Sequence, residues 1–156
     1  MGLVDLTNRV CAVLLAAGSS QRFGSDKLAM LLGDAPVWFQ SYRALAQSPT
    51  IEAIGIVTGS EKVDNYRTLA TDAIFVIAGG ESRQDSSRLG VAAVPPEFDI
   101  VLVHDAARPF LTEDVIQRVV EGVKERGAAY AALPVTDTVR QRSSDGTWKL
   151  LDRETL

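Results

Sequence analysis

Along the chain, apolar runs of four to seven residues alternate with stretches whose apolar positions recur at helical spacing. Parallel strands covered on both faces by their connecting helices produce this pattern. Val10–Leu15, Ile54–Val57, Ile74–Ile77, Ile100–His104 and Ala128–Leu133 read as strands, and Val37–Ala46, Lys62–Ala70, Ser86–Val94 and Thr112–Arg126 as helices. The last helix is the clearest: Thr112 can cap it, and Glu113 and Asp114 sit in its first turn. Val115, Val119 and Val123 form an apolar stripe with Ile116 and Val120 beside it, and Gly127 ends it. The alternation predicts an α/β fold, an open, mostly parallel, Rossmann-like sheet.

After Val135 the period changes. Thr138–Arg142 and Thr147–Leu151 read as strands joined through Ser143-Ser144-Asp145-Gly146, where Asp145-Gly146 is a hairpin signal. A protruding β-hairpin arm over about 138–152 is expected to make an edge or partner contact. No repeat, low-complexity stretch or linker divides the chain, so residues 1–156 read as one domain.

Composition narrows the class. With 46% hydrophobic and 23% charged residues and 6 Pro, the chain is neither disordered nor fibrous. One Cys excludes an internal disulfide and multi-cysteine metal sites, and one His excludes histidine-rich clusters. No apolar run approaches the ~20 residues that span a bilayer. The first residues lack the basic-then-apolar order of a signal peptide, so a cytoplasmic location is expected. A net charge of −4 argues against nucleic-acid binding and leaves local basic pockets open.

Ligands of open parallel sheets bind beyond the carboxyl ends of the strands, which directs attention to four segments. Ala16-Ala17-Gly18-Ser19-Ser20-Gln21-Arg22-Phe23-Gly24-Ser25-Asp26-Lys27 offers small residues, backbone N–H groups, hydroxyls and two cations to a phosphate, although its glycine spacing is neither a P-loop nor a dinucleotide fingerprint. It also reads as a Gly/Ser-rich turn with two solvated basic residues. Gly79-Gly80-Glu81-Ser82-Arg83-Gln84-Asp85-Ser86 lets backbone approach a flat ligand, and Ser86 reads as either a helix cap or a base-recognising hydroxyl. In His104-Asp105-Ala106-Ala107-Arg108-Pro109, a carboxylate at the tip of a buried strand suits Mg²⁺ or ribose hydroxyls, or else an ion pair with Arg108. His104 reads as a hydrogen-bonded core residue rather than a base, and Cys11 as core. Thr138 and Arg153, near Pro134-Val135-Thr136-Asp137, could grip a substrate phosphate or be hairpin surface.

Four of these motifs together resemble the 2-C-methyl-D-erythritol 4-phosphate cytidylyltransferase family of nucleotidyltransferases. They are Ala-Ala-Gly-x-x-x-Arg at Ala16–Arg22, Gly-Gly-x-x-Arg-x-x-Ser at Gly79–Ser86, His-Asp-Ala-Ala-Arg-Pro at His104–Pro109 and Pro-Val-x-Asp-Thr at Pro134–Thr138. The resemblance implies an enzyme of non-mevalonate isoprenoid biosynthesis that converts CTP and methylerythritol phosphate to the CDP-alcohol and pyrophosphate with Mg²⁺. It implies Arg22 and Lys27 as transition-state residues, and Ala16, Ala17, Gly18 and Ser19 as phosphate contacts. Gly80, Glu81 and Ser86 would contact the cytosine, and Asp105 and Ala106 the ribose and metal. Arg108, Thr138 and, across a homodimer arm, Arg153 would hold the substrate phosphate.

Two departures accompany the resemblance: Gly24-Ser25-Asp26-Lys27-Leu28 stands where the family has a longer stretch ending Pro-Lys-Gln, and the family's C-terminal Thr-Pro-Gln segment and final Asp and Lys are not present. Alternatives are a ribitol 5-phosphate cytidylyltransferase, disfavoured by Ala107, and a CTP-binding module without turnover.

Overall fold

The computed structural model describes residues 8–18 and 26–155. β1 (Val10–Ala16) leads through a short 3₁₀ turn (Lys27–Ala29) and a small ladder, β2 (Leu31–Leu32) with β3 (Ala35–Pro36), into α1 (Val37–Ala46). β4 (Ala53–Thr58), α2 (Val63–Leu69), β5 (Phe75–Ala78), α3 (Arg83–Ala92), β6 (Ile100–Asp105) and α4 (Glu113–Arg126) follow. The hairpin of β7 (Arg140–Arg142) and β8 (Trp148–Leu150) comes last. Its turn depends on Gly146, whose φ of 85° is open to glycine at little cost. The Gly146 N–H donates to Ser143 O (3.0 Å), and the Ser143 N–H to Thr147 O (2.9 Å).

The central sheet is parallel, in the order β5-β4-β1-β6. All seven residues of β1 are buried because it lies between β4 and β6 and under helices on both faces. Ala12 and Leu14 join Trp38, Tyr42 and Leu45 of α1 and Tyr66 of α2, while Val10 and Ile100 join Ile116 and Val120 of α4. On the opposite face, Val13 and Val57 meet Gly90 of α3. α3 carries the chain from β5 at one edge to β6 at the other, back across β4 and β1. The strand order therefore reverses between β1 and β6, the place where open α/β sheets part their loops into a crevice.

Two expectations are corrected here. Ala128–Leu133 forms no strand, and Tyr130 and Leu133 are almost fully exposed. An apolar run becomes a strand only where a neighbour completes its hydrogen bonds, and this segment pairs with none. The central sheet accordingly has four strands. Thr112 occupies the N-cap position of α4 without a side-chain cap bond, whereas Gly127 closes that helix in the left-handed conformation, φ 78°. Among the described residues no helix is long and apolar enough to cross a membrane.

Candidate active site

Parallel register brings the carboxyl ends of the strands level, with Ala16 beside Thr58, Thr58 beside Ala78, and Leu15 beside Asp105. The described candidate residues at the ends of β1, β5 and β6 therefore lie on one rim. Ala16 is buried, Ala17 partly buried and Gly18 exposed, while Ser19 and Arg22 lie outside the described residues.

The loop after β5 is folded tightly onto this rim. A Cβ on Gly79 would come within 2.5 Å of the Ala17 Cβ and 2.6 Å of the Ser86 Oγ, and one on Gly80 within 2.5 Å of the Asp85 Cβ. No larger residue fits either place without displacing the loop. Ser86 is 3% exposed, and its Oγ accepts the Gly80 N–H at 3.1 Å. The cap reading of Ser86 is corrected. α3 begins earlier, at Arg83, and its cap is Ser82, whose Oγ accepts the Asp85 N–H at 3.0 Å and donates to Asp85 Oδ2 at 2.6 Å. That hydroxyl holds the Asp85 carboxyl below its ordinary range. Released from capping, Ser86 ties the second turn of α3 to the glycine loop, and Glu81 stands exposed between them.

Ala106 is fully buried and pinned at both ends of its peptide: its N–H donates to Leu15 O (2.9 Å) and its C=O accepts from the Ser41 hydroxyl of α1 (2.7 Å). His104 is bonded through Nε2 to the Arg108 carbonyl at 2.9 Å. A carbonyl only accepts, so Nε2 carries the hydrogen. Burial holds the pKa of this imidazole below its ordinary value. The hydrogen bond expected of His104 is present, whereas the core position is corrected: the residue is only partly buried.

Asp105 receives both arginines of its neighbourhood. Arg83 reaches Oδ1 through Nη2 (2.7 Å) and Nε (3.1 Å), and Arg108 Nε stands 3.3 Å from Oδ2. The sequence spacing predicts the Arg108 pair as one of two readings of Asp105, whereas the Arg83 pair arises only in the fold. Among the described residues no cluster of three or more His, Cys, Asp or Glu side chains could hold a metal. One partly exposed carboxylate at a strand tip suits Mg²⁺ in the mode where phosphates and waters supply most ligands, provided an arginine yields an oxygen of Asp105.

Lys27 is exposed on the 3₁₀ turn Lys27–Ala29. Thr138 and Arg153 line a shared open cavity of about 440 Å³ with Asp137, Leu150, Leu151 and Asp152, and Arg153 Nη1 donates to Thr136 O at 3.2 Å. Arg108 does not line that cavity. Three contributors escaped the sequence reading: Ser41, Arg83 as the partner of Asp105, and Lys62, which pairs with Asp26. Ser41 did leave a signal, a hydroxyl on the same helix face as Trp38 and Leu45.

The family model described as IspD, 2-C-methyl-D-erythritol 4-phosphate cytidylyltransferase, matches residues 10–156. A relative of that name from Streptomyces coelicolor is 38% identical over 144 residues, covering 85% of this chain and 53% of its own. One from Dehalococcoides mccartyi is 35% identical over 158 residues, 97% of this chain and 69% of its own. The chain thus spans about half the length of the first of these relatives and about two thirds of the second. The solved structure of 4-diphosphocytidyl-2C-methyl-D-erythritol synthase from Anaerococcus prevotii superposes with a TM-score of 0.83 at 22% identity, over 95% of this chain and 66% of that one, a likeness of fold.

Proposed function

Because the chain belongs to the 2-C-methyl-D-erythritol 4-phosphate cytidylyltransferase family, we propose that it joins CTP to 2-C-methyl-D-erythritol 4-phosphate, releasing pyrophosphate, in isoprenoid biosynthesis. The supporting observation is the single rim shared by Ala16 and Ala17 after β1, Gly79 and Gly80 after β5 and Asp105 and Ala106 at the end of β6, tied by Ser86 to Gly80 and by Gly79 against Ala17.

In this reading Gly80, Glu81 and Ser86 recognise the cytosine, Asp105 and Ala106 the ribose, and Ala16, Ala17, Gly18 and Ser19 the phosphates. Arg108, Thr138 and Arg153 hold the phosphate of the alcohol. One of its oxygens attacks the α-phosphorus of CTP in line, a new P–O bond forms, and the bond to the β-phosphate breaks. No covalent enzyme intermediate is needed. Arg22 and Lys27 offset the charge that grows on the equatorial and leaving oxygens. Asp105 would hold Mg²⁺, which when bound contributes positive charge across the triphosphate. A homodimer through the hairpin and a cytoplasmic location complete the proposal. The hairpin supports the dimer because Arg140, Arg142, Trp148 and Leu150 share one exposed face, the arginine and aromatic mixture that enriches interface centres.

Pyrophosphate release from radiolabelled CTP, with methylerythritol phosphate and ribitol 5-phosphate compared, tests the assignment. Product from the former is expected, and product from ribitol phosphate alone, or CTP binding without turnover, overturns it. Arg22→Ala and Lys27→Ala are each expected to fold and to slow turnover about a hundredfold at saturating CTP, the ~3 kcal/mol typical of one lost transition-state donor.

A further inference from the structure

A carboxylate immediately before the lysine proposed to offset charge at the reacting phosphates is a puzzle, since Asp26 repels the polyanion that Lys27 would face. Its surroundings answer the puzzle. Asp26 Oδ1 accepts the Leu28 N–H at 3.2 Å and so caps the 3₁₀ turn that carries Lys27, while Oδ2 accepts from Lys62 Nζ at 2.7 Å. Leu28 is 5% exposed within the main core cluster. Lys27 therefore stands between a capping, ion-paired residue and a core anchor. Lys62 arrives from the segment after β4, a different strand end from the one that bears Lys27, and its side chain is 28% exposed against 34% for Asp26. Partial burial weakens the screening that makes most surface pairs negligible. Glu61 also approaches Lys62, at 3.9 Å, so loss of this ammonium uncovers two carboxylates.

We propose that Lys62 is a positioning residue which, through Asp26, fixes the turn bearing Lys27 and neutralises the carboxylate beside the triphosphate. The proposal rests on the charge-offsetting role proposed for Lys27 above. It assigns Lys62 no contact with the nucleotide. It also divides the labour of Asp26: one oxygen builds the turn, and the ammonium cancels the charge that the turn-builder brings with it.

The test is a charge-rescue series read by calorimetric CTP binding, with kcat and KM alongside. Lys62→Met is expected to weaken CTP binding roughly tenfold, the scale of one carboxylate released several ångströms from a polyanion. Adding Asp26→Asn, which keeps an oxygen for the Leu28 N–H and removes the charge, is expected to restore binding to within about threefold of wild type, and the Lys62→Met defect is expected to shrink as salt rises. Lys62→Gln keeps a donor for Asp26 without charge and is expected to show the same loss, so the series survives if Lys62→Met folds poorly. A double variant no better than Lys62→Met, or Lys62→Met and Lys62→Gln binding like wild type, overturns the proposal. Lys27→Ala run in parallel separates the two readings: unchanged binding and turnover there removes the role of Lys27, whereas a Lys27→Ala defect without charge rescue removes only that of Lys62.

Discussion

Ser86 joins two elements with one hydroxyl. In Ser86→Ala the Gly80 N–H loses its acceptor while α3 keeps its Ser82 cap. The KM for CTP is expected to rise about fivefold with kcat little changed, as a hydrogen bond of net worth ~1 kcal/mol implies, and initial-rate kinetics on the folded variant would check it. His104 gives a pH prediction. Its folded value lies below the ordinary 6.5, so the unfolded chain takes up the proton first. The contribution to stability is complete above about 6.5 and is lost as the pH falls through that value toward the folded one. Thermal melts between pH 5 and 8 should show this loss in the wild type and a flatter profile in His104→Gln, and equal profiles would contradict the assignment. At this scale the sequence carried residue types better than partners. Asp105 three positions before Arg108 marked an ion pair, whereas the apolar residue before His104 misled, since Val103 is itself exposed and His104 only partly buried. Nothing local to Arg83 announced Asp105, which it meets only because α3 crosses the sheet to reach β6.

The elements were legible where both signals, period and boundary, came from the chain itself. α1 runs over the predicted Val37–Ala46, and α4 ends at the predicted Arg126 with Gly127 in the left-handed conformation. Ala128–Leu133 shows the limit, because composition says that a segment is apolar and not whether an edge stands ready to pair with it. α3 shows another, since the start predicted at Ser86, read as a possible cap, falls three residues after Arg83. The backbone chose Ser82, three residues before the N–H of Asp85 that it accepts. α3 also offers a packing prediction. A Cβ on Gly90 would lie 2.5 Å from Val13 Cγ1 and 2.8 Å from Val57 Cγ2, both in the sheet core. Gly90→Ala must push α3 off β1 and β4 and is expected to cost about 1–3 kcal/mol in urea unfolding. An unchanged midpoint would mean that α3 sits further from the sheet.

For the whole molecule, the hairpin is the part whose role depends on a second copy. Trp148 is 65% and Leu150 63% exposed, on the face shared with Arg140 and Arg142. Sedimentation of the wild type is expected to give a dimer and of Trp148→Glu a monomer, and a dimer of unaltered strength in the variant would move the interface elsewhere. The central sheet carries a consequence of a different kind. β1 is its most buried strand and is made early, yet it pairs on one side with β6, Val10 opposite Ile100, about ninety positions later in the chain. At a synthesis rate of roughly 5–20 residues per second, β1 waits several seconds or more after leaving the ribosome before that partner exists. During that interval Val10–Ala16 is an exposed apolar strand with a free side, so the nascent chain has its greatest need of chaperones before the candidate site has begun to form.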